Sequence, residues 1–148
     1  MLNFDTTGYM CFPTKGITTN DKLAGVYDLN WKEDTLLVAT EGYIKYFYND
    51  EWKVYKDTIP RPHSTIPLVT SFTFIYDTVY CATTSDGVLK WCKNKWNSVG
   101  KGLPQSEEQK VYPGISFIIA YKDKLFIGFG SEKVWDTGRR GLWKYEVK

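Results

Sequence analysis

Between Phe129 and Gly141 the chain carries GSEKVWDTGRR, an eleven-residue insertion with Glu132, Lys133, Trp135, Asp136, Arg139 and Arg140. A Trp ring offers an apolar face for stacking on a sugar or anchoring a protein contact. Adjacent guanidinium groups offer forks that match carboxylates and phosphates. Trp and Arg are also prominent among the side chains that dominate protein interfaces. Glu132, Trp135, Asp136, Arg139 and Arg140 are therefore the candidate ligand- or partner-binding residues. The competing reading is a long hairpin whose Trp folds back onto its own sheet.

The remaining chemistry-bearing residues point away from catalysis. His63 is the single histidine, in the segment RPHST, and no acid or nucleophile is placed around it by spacing. Cys11, Cys81 and Cys92 lack the close spacing of a metal motif, and their number is odd. Cys81 and Cys92 lie symmetrically about Asp86-Gly87, which predicts facing positions on adjacent strands, either bonded or as two buried thiols. No Gly-rich phosphate loop follows a strand and opens a helix. The expectation is no catalytic residue, no metal and no cofactor.

Composition narrows the class further. The 148 residues suffice for one core and are short for two, so a single domain spanning 1–148 is expected. Aromatic residues make up 17 % of the chain, and most fall in strand-like runs. The net charge is +2, with lysines scattered singly or in pairs, so neither a basic stripe for nucleic acid nor a membrane span is expected. The N-terminus, MLNFDTTGYMCF, is a poor secretion signal, and the expected location is the cytoplasm.

The elements that must position these residues recur. DTLLVATEG at 34–42, DTVYCATTSDG at 77–87 and DKLFIGFG at 123–130 align, and their leading aspartates are 43 and 46 residues apart. Such a period suits a four-stranded unit. The repeats fall at about 23–60, 68–104 and 113–148. Each begins with an apolar strand, turns at Asp34, Asp77 or Asp123, and continues through second, third and fourth strands joined by Gly, Asn or Asp. Those aspartates read as turn caps. Trp52 and Trp96, at equivalent positions, read as packing between sheets. The third repeat stops before its fourth strand, while the segment 8–17 resembles a detached fourth strand. The fold class expected is all-β: three propeller blades of four antiparallel strands per chain. Three blades are too few to close a ring. Two chains supply six, with each N-terminal strand completing the third blade of its partner in a homodimer. A small sandwich of repetitive hairpins is the alternative. In a ring, Asp28, Asn30, Thr70, Ser71 and Ser116 on the first strands become candidates for lining a central channel.

LLVATEGYIKYFYNDEWKVYKDTIP and VYCATTSDGVLKWCKNKWNSVGKGLP carry a nameable likeness. Ala39-Thr40 and Ala82-Thr83, the turn glycines Gly42, Gly87 and Gly141, Trp52 and Trp96, and the closing Gly102-Leu103-Pro104 resemble propeller repeats of the two-component-regulator type. The resemblance covers residues 23–148 and implies a non-catalytic sensor-like scaffold, with no catalytic residue to carry over. The chain departs from that pattern by having three repeats and no attached domain. Having few blades per chain also resembles small oligomeric propeller lectins, although their full sugar-site motif is not matched. The function expected is a binding or assembly scaffold that presents loops to a protein partner. A carbohydrate-binding lectin and a glycan-acting enzyme are the alternatives.

Overall fold

A computed structural model describes residues 3–4, 10–11, 25–60, 69–105, 112, 114–129 and 141–147. These residues form antiparallel strands, with no helix among them. A two-stranded ribbon pairs β1 (Asn3–Phe4) with β2 (Met10–Cys11). Sheet 1 runs β3 (Asp28–Lys32), β4 (Thr35–Thr40), β5 (Tyr43–Tyr48) and β6 (Glu51–Val54). Sheet 2 runs β7 (Val69–Ile75), β8 (Thr78–Thr83), β9 (Val88–Cys92) and β10 (Lys95–Ser98). Sheet 3 runs β11 (Ile115–Tyr121), β12 (Lys124–Phe129) and β13 (Leu142–Glu146). Each is a meander in which sequence neighbours are hydrogen-bonded neighbours. Among the described residues, sheet 3 has no fourth strand. Of the segment 8–17 expected to supply one, Met10–Cys11 pairs with Asn3–Phe4, and the rest lies outside the described residues.

Turn chemistry sets these meanders. Asn49-Asp50 and Lys93-Asn94 place both residues at positive φ (51° and 60°; 54° and 58°). That is the two-residue turn whose twist matches paired strands. In the earlier turns Glu33, Tyr76 and Lys122 take φ of 53°, 53° and 55°, each just before the recurring Asp. The Ala-Thr pairs have a local use. The Thr40 hydroxyl donates to the Tyr43 carbonyl at 3.3 Å. The Thr83 hydroxyl donates to the Gly87 carbonyl at 3.0 Å and accepts from the Asp86 amide at 2.9 Å. Gly87, at φ 72°, has the Tyr112 ring 3.0 Å from where a Cβ would stand, so both its backbone and its surroundings require glycine.

This tight turn corrects the expected cysteine pairing. Because Thr83 closes onto Gly87, the register sets Cys81 opposite Leu89, not Cys92. Three residues past Leu89, Cys92 lies on the other face of sheet 2. Both thiols are free, Cys81 fully buried and Cys92 half-buried.

The core lies in two seams. Leu37, Ala39 and Ile44 of sheet 1 pack against Phe72, Val79, Cys81, Leu89 and Trp96 of sheet 2. Ile75, Tyr80, Ala82 and Val88 on the opposite face of sheet 2 pack against Ile115, Ile118, Leu125 and Ile127 of sheet 3. Sheet 2 is therefore covered on both faces, which is why β8 shows five buried residues in succession where a half-covered strand would alternate. Burying side chains of this size stabilises by about 1.5–3 kcal/mol each. Trp96 behaves as expected of a seam residue: its indole N–H donates to the Asp57 carbonyl of the preceding sheet's tail at 3.1 Å. Its counterpart Trp52 packs on Phe47 at 5.2 Å on the far side of sheet 1.

Candidate functional site

The first strands β3, β7 and β11 lie side by side across the three sheets. Register makes three positions comparable: Asp28 faces Ala39, Ser71 faces Ala82 and Phe117 faces Gly128. The Asp28 carboxylate accepts from the Ser71 hydroxyl at 2.8 Å and from the Phe72 amide at 2.9 Å. One sheet further, the Ser71 hydroxyl oxygen accepts from the Ile118 amide at 3.1 Å. The same backbone donor is thus satisfied by the same side-chain position at both seams. Asn30 adds a longer bond to the Phe72 carbonyl at 3.5 Å. Asp28, Asn30 and Ser71, expected to line a channel, instead join neighbouring strands. This matters because an unpaired buried backbone amide costs about 1–3 kcal/mol.

The other two channel candidates are bulge residues. The register skips Thr70 between Val69 and Ser71, and Ser116 between Ile115 and Phe117. The extra residue increases local twist and re-aims its side chain. Ser116 is exposed, whereas the Thr70 hydroxyl oxygen is buried without a partner. The sequence signal that could have identified the stitch is Asp28 and Ser71, polar residues 43 positions apart at equivalent places in the first strands of two repeats.

Glu132, Trp135, Asp136, Arg139 and Arg140 all lie outside the described residues. The residues that flank them are described. Gly128 pairs with Leu142, and the Phe129 amide donates to the Gly141 carbonyl at 3.3 Å. The segment therefore leaves and re-enters sheet 3 at adjacent positions, between the second and third strands. This is the topological place occupied by Glu41-Gly42 in sheet 1 and 84–87 in sheet 2. His63 also lies outside the described residues.

A cleft of about 390 Å³, which the motifs did not signal, opens beside the first turn of sheet 1. Lys32, Glu33, Tyr46, Tyr55 and Lys56 supply its polar groups, and Leu37 adds an apolar wall. Burial alone would lower the Lys32 ammonium, but Asp77 at 3.3 Å and the nearby Tyr55 hydroxyl outweigh it and hold the pKa raised. The cleft has one carboxylate, so it lacks the acid pair of a glycosidase. Among the described residues no three metal-ligating side chains gather.

The aspartates at the turns remain exposed. Its own backbone amide, helped by Lys124 at 3.3 Å, holds the Asp123 carboxyl below the usual carboxylate range. This is local turn chemistry, as expected of a capping carboxylate. Elsewhere burial pushes the Cys81 and Tyr80 groups up and the Lys45 ammonium down.

No family model matches the chain, and no curated protein matches it. Among solved structures, the computationally designed Ika4 protein is similar over 81 % of this chain and 64 % of its own, with a TM-score of 0.48 and 10 % identity. This chain thus spans under two thirds of that protein, and a likeness of that size carries no argument. What the described residues show is an all-β chain with three antiparallel sheets of three or four strands each. No helix among the described residues is long and apolar enough to cross a membrane.

Proposed function

We propose that the chain is a three-bladed half of a propeller ring, closed by a second copy, whose task is non-catalytic binding or assembly. The observation that carries this reading is the recurring stitch. Asp28 holds the Phe72 amide, and Ser71 holds the Ile118 amide, so each sheet is joined to the next through its first strand by one rule. A fixed sheet-to-sheet relation repeated in one direction produces a ring or a solenoid. Three meandering sheets at that spacing fit half of a six-bladed ring.

On this reading the two-component-regulator-type likeness describes the scaffold, and the 130–140 loop is its recognition element. Glu132, Trp135, Asp136, Arg139 and Arg140 would meet a protein partner through an aromatic anchor and charge-assisted contacts. A cytoplasmic protein partner is favoured over a glycan because the insertion carries four charged residues besides Lys133 but one aromatic. A photo-crosslinking residue at position 135 of the full chain tests this. The reading expects one protein adduct, lost when Arg139 and Arg140 are changed to Ala. Selective binding on a glycan array, abolished by Trp135→Ala with the fold intact, would replace it with the lectin reading. Turnover of a glycan would replace it with an enzyme.

A further inference from the structure

The two outer faces of the sheet stack are not equivalent to ordinary surface. On the outer face of sheet 1, Leu29 and Trp31 are 59 % and 60 % exposed. Their counterparts 43 residues on, Phe72 and Phe74, pack into the seam that sheet 1 covers. On the outer face of sheet 3, Phe117, Ile119 and Tyr121 are 43 %, 57 % and 60 % exposed. Their counterparts by register on sheet 2 are Ser71, Thr73 and Ile75, all buried on the side that faces sheet 3. Every one of these exposed side chains thus occupies a position that, inside the chain, a neighbouring sheet buries. Among the described residues no sheet packs on the Trp31 side of sheet 1 or on the Phe117 side of sheet 3, and the open area on sheet 1 is its first-strand strip, since Val38 beside Leu29 is buried.

The chemistry at the two ends changes together. The internal seams use Asp28 and Ser71 to capture an amide on the next sheet. At the corresponding place on sheet 3 stands Phe117, which accepts nothing. The amide it would have met is that of Leu29, which the Asp28 carboxylate already takes at 2.8 Å. So the donor has been satisfied within sheet 1, and the acceptor has become an aromatic ring. Gly128 makes room for that ring: a Cβ there would collide with it. A polar joint has been replaced on both sides by an apolar one.

We infer that the outer face of sheet 3, through Phe117, Ile119 and Tyr121, docks head-to-tail on the outer face of sheet 1, through Leu29 and Trp31, of a second copy of this chain. The same joint forms twice and closes the pair. The occupant is a second copy because the two faces are the two halves of one seam, complementary in apolar character and continuous with seams already present. Contiguous exposed apolar strips on the first strands are also uncommon for a monomer. This inference rests on the two-chain ring proposed above and adds which faces meet.

Two charge variants of the full chain decide it: Trp31→Lys on sheet 1 and Ile119→Glu on sheet 3. Native mass is read by light scattering, and circular dichroism checks the fold. In a head-to-tail pair each variant spoils both joints, so each alone falls to half the wild-type mass. An equal mixture restores the full mass. In the mixed pair one joint is wild type on both sides, and the other sets the introduced lysine against the introduced glutamate. If Trp31→Lys is monomeric while Ile119→Glu still pairs, sheet 1 meets sheet 1 and the inference is overturned. The converse result, two variants that both still pair, or a mixture that stays at half mass overturns it equally. Leu29→Lys with Tyr121→Glu repeats the test should either first variant fail to fold. A wild-type chain that is itself monomeric defeats the ring reading rather than the choice of faces, so the two failures are distinguishable.

Discussion

β7 and β11 are the same element in two settings. Both run seven residues, both begin with a bulge, and both pair with a second strand that opens at an aspartate turn. On β7 the side facing the next sheet carries Ser71, Thr73 and Ile75, and all three are buried. On β11 the same side carries Phe117, Ile119 and Tyr121, and all three are exposed. On the side that meets sheet 3, β7 places Ser71, which hydrogen-bonds across the seam, with Thr73 and Ile75 buried beside it. β11, with no sheet against that side among the described residues, places large side chains there. The reversal teaches that an internal seam is specified by fit and polar pairing, whereas an end face carries apolar area that can drive association between copies.

Breaking the covered side should have the largest effect. Phe72→Ala removes a fully buried ring from the seam between sheets 1 and 2, and should destabilise by about 3–5 kcal/mol in urea unfolding. Phe117→Ala, at the exposed counterpart strand, should cost the isolated chain under about 1 kcal/mol while weakening association. Equal losses in the isolated chain would dissolve the distinction between the two sides.

Next comes the stitch. Asp28→Ala strands the Phe72 amide and leaves the Ser71 hydroxyl only the Ile118 carbonyl at 3.4 Å, and should cost about 1–3 kcal/mol. Asp28→Asn keeps an acceptor oxygen and should recover part of that loss. A neutral Asp28→Ala in thermal unfolding would mean the repeated bond is not what joins the sheets.

Gly128→Ala sharpens the end-face side. Its Cβ would collide with the Phe117 ring, which is half-exposed and free to swing outward. The fold should therefore survive, with association weakened by about tenfold, or about 1.4 kcal/mol. Phe117→Leu in the same chain should remove most of the added penalty. A Gly128→Ala chain that unfolds would show the ring fixed in place.

The smallest effect tests burial within sheet 2. Burial raises the Cys81 thiol, so the folded state holds its proton where the unfolded thiol, with its ordinary value of 9.0, gives it up. The unfolded state then binds fewer protons, so stability falls as pH rises above about 9. Comparing pH–stability curves of wild type and Cys81→Ala isolates this slope, which should be shallower in the variant. Cys92, half-buried on the other face, should react with a thiol reagent in the native protein while Cys81 does not. Parallel curves or equal reactivity would contradict the buried placement.

Much of the strand order was legible in the residues. Apolar runs broken by Asp, Asn and Gly turns located β11, β5 and β9 to the residue, because short turns have strong side-chain preferences. The register after β8 was not legible. Symmetry about Asp86-Gly87 suggested that Cys81 faces Cys92, but the Thr83 hydroxyl closes the turn onto Gly87 and moves the pairing by three residues. The first-strand polar residues were found, but the bonds of Asp28, Asn30 and Ser71 to the neighbouring strand were not. Their pattern along one strand says which residues are polar, whereas only the placement of three sheets shows Asp28 reaching Phe72. The candidate recognition loop was legible as an insertion, and the described structure fixes its base at Phe129 and Gly141.

The central claim is that two copies share their end faces, and native mass tests it most directly. Light scattering on a sizing column, over about a hundredfold range of loading concentration, should give twice the 17.2 kDa chain mass and hold it on dilution. A folded species that stays at 17.2 kDa throughout would contradict the account.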